Sequence, residues 1–118
     1  MKTIGIVGSR RRATSSDFIK MLEVFDTVYE PGDRIISGGC TTGGDRFAED
    51  LARNRGLSIL VHFADWNGPN GAAAGFVRNT KIAEDCDILI ALVADNRKGG
   101  VEDCIKKATK LNKKVLLC

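Results

Sequence analysis

Ile88-Leu89-Ile90-Ala91-Leu92-Val93 is apolar at every position. Successive side chains of a strand point to opposite faces, so a strand with one wet face alternates, whereas one covered by helices on both faces reads as a continuous apolar run. The stretch therefore predicts a central strand of a parallel sheet, over Asp87 to Val93. Outward from it, β-rich runs at Thr3 to Val7, Arg34 to Ser37, Leu57 to Phe63 and Lys114 to Leu117 alternate with stretches whose apolar residues recur at about 3.6. Alternation of this kind is the pattern of βαβ units.

The helical stretches have readable ends. The first begins near Ser16 as N-cap, places Phe18, Met21, Leu22, Phe25 and Val28 on one stripe, and stops at the Pro31-Gly32-Asp33 turn. The second runs from about Asp45, buries Phe47, Ala48, Leu51 and Ala52, and closes at Gly56. A third spans roughly Ala74 to Asp85, and a fourth roughly Val101 to Leu111 with Ile105, Ala108 and Leu111 inward. Right-handed crossovers and short connections then lead to an α/β fold: a three-layer, Rossmann-like, doubly wound sheet of five parallel strands in the order 3-2-1-4-5. In that order the first and fourth strands meet at the switch point, where open α/β sheets bind ligands beyond the carboxyl ends of their strands.

A chain of 118 residues suits one domain, 1–118, with a single sheet at its centre. No apolar run approaches the ~18 residues of a membrane span, and Met1 to Val7 lacks the length and cleavage pattern of a signal peptide, so a cytoplasmic protein without a membrane partner is expected. Cys40, Cys86, Cys104 and Cys118 are scattered without a CxxC pair; free thiols are expected, with no metal site and no cofactor. The net charge of +3 is too small to argue for nucleic acid by itself.

The glycine-rich segments, which are independent of the periodicities that mark the strands, fall at the strands' carboxyl ends. The first strand runs into Gly8-Ser9-Arg10, the second into Gly38-Gly39-Cys40-Thr41-Thr42-Gly43-Gly44-Asp45, and the fourth into Gly99-Gly100. Glycine lets backbone amides approach a phosphate, and a following helix adds oriented N–H groups. Tight turns alone explain any one loop; three together favour a common anionic ligand. Gly5-Ile6-Val7-Gly8 lacks the third glycine of a dinucleotide fingerprint, and no lysine follows Gly43-Gly44 as a P-loop would require.

These loops, with Ala64-Asp65-Trp66, Gly75, Arg78-Asn79 and Gly99-Gly100-Val101, resemble the SLOG superfamily of Rossmann-like domains, and within it the small YspA-type, YpsA-related branch. The resemblance covers nearly the whole chain. It implies a pocket for a nucleotide or nucleotide-derived molecule walled by Gly8, Ser9, Arg10, Gly38, Gly39, Gly44, Asp45, Arg78, Asn79, Gly99 and Gly100. Some relatives, the LOG or lysine-decarboxylase-like proteins, resemble phosphoribohydrolases that release a base from a nucleoside monophosphate. Others look like sensors, and DprA-type members bind single-stranded DNA. The hydrolase branch uses an arginine on the helix before the fourth strand and an acidic residue after a Gly-Gly-x-Gly-Thr loop. Arg78 matches the first; the second falls on Glu102 or Asp103, behind a contracted loop with Val101 where threonine would stand.

Residue by residue, Arg78 suits a bidentate hold on phosphate, and Asn79 a hydroxyl or a base edge. Asp45 fits either the N-cap of the second helix or an acceptor for ribose hydroxyls. Arg10 is a better phosphate candidate than Arg11 or Arg12, which are expected in solvent. Glu102 and Asp103 suit the first turn of the fourth helix as well as catalysis. His62 is expected to be structural, and Trp66 fits stacking on a base, covering the crevice or packing beneath its loop. The leading expectation is a binding module or sensor for a nucleotide-derived ligand. The second is a nucleotide N-glycosidase using Arg78 with Glu102 or Asp103. Single-stranded nucleic-acid binding ranks last, because one Trp and one Tyr offer few stacking platforms. A homodimer is expected by analogy.

Overall fold

In the computed structural model, which describes residues 1–40 and 43–118, five strands and four helices alternate along the chain. β1 (Thr3–Gly8), β2 (Arg34–Ser37), β3 (Ile59–Val61), β4 (Ile88–Leu92) and β5 (Lys114–Leu117) form one parallel sheet of order β3-β2-β1-β4-β5. This is the expected doubly wound α/β topology. α1 (Ser15–Val28) and α2 (Gly44–Arg55) cover one face; α3 (Ala74–Asp85) and α4 (Gly100–Lys110) cover the other.

Period-two alternation divides the strand residues between two cores. Ile4, Ile6, Ile35, Ile90 and Leu92 pack against Met21 and Phe25 of α1 and Phe47, Ala48 and Leu51 of α2. Val7, Ile36, Leu89 and Ala91 turn the other way, onto Ile82 and Ala83 of α3 and Cys104 and Ala108 of α4. All five residues of β4 are buried, as a strand covered on both sides must be. Burying each Ile or Leu stabilises the fold by about 1.5–3 kcal/mol, and this is what holds the three layers together.

Several boundaries differ from expectation. The cap of α1 is Thr14, not Ser16: Thr14 Oγ1 accepts the Asp17 amide at 3.1 Å and the Asp17 carboxylate accepts the Thr14 amide at 3.1 Å, a reciprocal capping box. The third strand is three residues rather than seven, because it is an edge strand whose one neighbour, β2, is only four residues long. Asp45 does not cap α2. Gly43 occupies that position without a side-chain hydrogen bond, and Asp45 lies inside the first turn. Leu111 falls just past α4 and is 46% exposed, leaving Cys104 and Ala108 as the fully buried positions of that helix. No helix among the described residues is long and apolar enough to cross a membrane.

Candidate functional site

The switch point between β1 and β4 opens into a cleft of about 770 Å³, the size of a small-molecule site. Gly8 to Arg11 wall it after β1, Gly38 to Cys40 after β2, and Phe63, Ala64 and Trp66 after β3. Arg78, Asn79 and Ile82 of α3 form a third side, and Ala94, Asn96 and Lys98 to Val101 a fourth, with Val7 and Cys104 also in the lining. The loops are brought together because β1, β2 and β4 run parallel and so end on the same edge of the sheet.

Close packing of backbones sets the loops' positions. A Cβ on Gly8 would come within 2.7 Å of Gly44 Cα, and one on Gly44 would overlap the backbone of Val7 and Gly8. The end of β1 thus rests directly on the first turn of α2. Gly44 serves this contact and does not line the cleft, whereas Gly8, Gly38, Gly39, Gly99 and Gly100 do.

Arg78 and Asp45 both crowd the open face of Gly38, where a Cβ would stand 2.6 Å from Arg78 Nη1 and 2.8 Å from Asp45 Oδ2. Arg78 donates from Nη1 to the Gly38 carbonyl at 2.8 Å and from Nε to Asn79 Oδ1 at 2.9 Å, which leaves Nη2 without a partner among the described residues. Asn79 is buried and fully engaged: besides accepting from Arg78, its Nδ2 donates to the Gly100 carbonyl and to Asp103 Oδ2, each at 3.1 Å. Its amide has no donor left for a ligand, so Asn79 orients Arg78 and ties α3 to the start of α4.

Asp45 is the one carboxylate in the cleft lining among the described residues. Burial raises its carboxyl above the ordinary range, and the Cys40 amide at 3.2 Å and the nearby Arg78 charge offset this only in part. The Gly39 amide donates to Ser37 Oγ at 3.3 Å. The β2 loop therefore spends these two amides on the protein's own side chains. The β1 and β4 loops carry positive charge. Arg10 and Lys98 line the cleft with side chains unpaired among the described residues, and the α4 amides of Gly100 and Val101 lack a carbonyl partner. Thr41 and Thr42 of the β2 loop lie outside the described residues.

Other expected site residues fall elsewhere. Glu102 makes a two-point ion pair with Arg97, both contacts at 3.0 Å, and Asp103 accepts from Asn79 and from Lys107 Nζ at 2.9 Å; neither lines the cleft. Arg12 is not in solvent: it pairs with Asp17 at 2.7 Å and donates to the carbonyls of Val93 and Cys118. Ser9 lines the cleft, but its amide is committed to the Leu92 carbonyl at 2.9 Å. His62 pairs with Asp85 at 2.8 Å, away from the cleft. Burial pushes the Cys104 thiol up to about 12, so it stays protonated at neutral pH.

Sequence reasoning missed Phe63 and Lys98. The first stands two residues past β3 on the carboxyl edge, and the second immediately precedes the Gly99-Gly100 pair, so position relative to the strand ends was the available signal. The fold and the cleft together describe a doubly wound α/β protein with a cleft at its switch point, the place where open α/β sheets bind ligands. No known family model matches the chain, and a search of curated proteins gives no match either.

Proposed function

We propose that this cleft binds a phosphate-bearing, nucleotide-derived small molecule, and that the protein is a cytoplasmic, SLOG-like binding module or sensor. The supporting observation is the charge of the cleft: Arg10, Lys98 and the free amides of α4 line its β1–β4 end, and Arg78, whose Nη2 has no partner among the described residues, lines the cleft as well. A phosphate placed there exchanges water for charge-assisted hydrogen bonds without disturbing any existing pair.

Thermal unfolding across nucleosides, nucleoside mono- to triphosphates, cyclic nucleotides and ADP-ribose derivatives tests the reading. A ligand at 100 times its Kd stabilises the fold by about 2.7 kcal/mol, a shift of several degrees for a domain of this size. The shift is expected to shrink in Arg10→Ala and Arg78→Ala; no shift with any phosphate compound overturns the proposal. Sedimentation at two protein concentrations checks the homodimer proposed by analogy.

Asp45 beside Arg78 favours a second reading, a nucleotide N-glycosidase. There Arg78 would orient the phosphate, and Asp45, rather than Glu102 or Asp103, would face the sugar. Base release from a nucleoside monophosphate, abolished in both Asp45→Asn and Arg78→Ala, is the result that supports it.

A further inference from the structure

Three aromatic side chains are exposed among the described residues: Phe63 at 71%, Trp66 at 57% and Phe76 at 54%. Phe76 lies outside the cleft lining, and the Lys107 ammonium sits over its ring at 5.6 Å. Phe63 and Trp66 both line the cleft, and neither has an aromatic or cationic partner among the described residues. Trp66 is therefore not packed beneath its loop. Large apolar surface left open at the rim of a polar cleft marks a contact that the isolated chain does not make.

Both rings are held in place by glycines. A Cβ on Gly39, whose φ is +75°, would collide with Phe63 at 2.5 Å from Cε1, and one on Gly75 would stand 3.0 Å from Trp66 Cη2. The same point over Gly75 is 3.9 Å from Arg78 Nη2, so Trp66 and Arg78 are neighbours across that glycine. The aromatic pair thus occupies the β2–β3 side of the cleft, opposite the cationic β1–β4 end.

We propose that Phe63 and Trp66 form a base subsite, which takes the purine or pyrimidine ring of a mononucleotide against their free faces while its phosphate reaches Arg10 and Lys98. This rests on the nucleotide reading above and narrows it, since a sugar phosphate satisfies the cationic end equally well and leaves the aromatic end empty. Phe and Trp are the side chains that supply a flat apolar face at low entropic cost, and every base has a matching π face.

Trp66 is the only tryptophan in the chain, so its emission reports this subsite alone. The experiment titrates AMP, GMP, CMP, UMP and ribose 5-phosphate, following Trp66 fluorescence and measuring affinity independently by calorimetry. At least one nucleotide is expected to change the emission saturably and to bind about 5- to 150-fold more tightly than ribose 5-phosphate, which leaves the emission unchanged. Phe63→Ala should weaken that nucleotide by a similar factor, leave ribose 5-phosphate affinity unchanged, and leave the unfolding midpoint in place because Phe63 is mostly exposed. If ribose 5-phosphate binds as tightly as every nucleotide and Phe63→Ala changes neither, the base subsite is refuted while the phosphate-ligand reading stands. If none of the five compounds binds, the mononucleotide subsite is refuted, and the phosphate-ligand reading falls with it only when the wider panel above also gives no shift. A short oligothymidylate that binds more tightly than any mononucleotide, with steep salt dependence, overturns the mononucleotide in favour of a single strand.

Discussion

Asp33 and Asp45 are buried to nearly the same degree, 5% and 7% exposed, at opposite edges of the sheet, yet their carboxyls depart from the ordinary value in opposite directions. At the amino edge, burial pushes Asp33 up, but the Lys2 ammonium at 2.7 Å and the amides of Lys2 and Glu30 at 2.7 and 2.9 Å outweigh it and hold the carboxyl down at about 2. The same edge joins the Thr3 amide to Asp87 at 2.8 Å and Arg34 Nε to Thr3 Oγ1 at 2.9 Å. At the carboxyl edge burial prevails for Asp45, and Arg10 and Lys98 stand unpaired among the described residues. One edge uses polar groups to stabilise the chain. The other carries them at a cost to stability, as perturbed polar groups in clefts generally do.

The contrast should break first at Gly44, a carboxyl-edge residue that holds structure. Gly44→Ala forces β1 and α2 apart and is expected to cost about 3 kcal/mol in urea unfolding, more than any change to a cleft side chain. Asp33→Asn should cost about 1.5–3 kcal/mol at neutral pH, the worth of hydrogen bonds to a charged group. Because the folded carboxyl titrates at about 2 and its ordinary value is 3.8, that contribution is complete above pH ~4. It is lost as pH falls toward 2, where variant and parent converge.

Asp45→Asn should have the opposite sign. A raised carboxyl pKa means that the folded state holds the proton more tightly than the unfolded one, so stability falls as pH rises through the folded value. The variant is expected to gain stability at pH 7 and to match the parent in acid. A loss at pH 7 would place Asp45 with Asp33 among the structural carboxylates. The smallest effect belongs to Phe63→Ala, within about 0.5 kcal/mol by thermal unfolding. A cost near the 3–5 kcal/mol expected for the fully buried Phe25 would mean that Phe63 packs rather than waits.

Much of this was legible before folding. The apolar run from Ile88 and the glycines after the first, second and fourth strands implied both the strand order and the edge at which the cleft opens, because burial on two faces and close backbone approach each demand particular residue types locally. The contents of the site were less legible. Asp45 read as a helix cap because Asp before a periodic run usually is one, but Gly43 caps α2 and the side chain turns inward beneath Gly38. Arg12 read as solvated until Asp17 and two distant carbonyls were folded against it.

What the sequence by itself determined, then, is the sheet, its order and the edge that opens, since these follow from periodicities and turn residues within a few positions of one another. Only the tertiary structure decided which polar groups remain free. The fates of Asn79, Asp45 and Phe63 depend on partners 21 or more residues away: on Gly100, on Arg78 beside Gly38, and on the Gly39 backbone. A side chain's solvation and charge are properties of the packed neighbourhood, and no local window of sequence contains that neighbourhood.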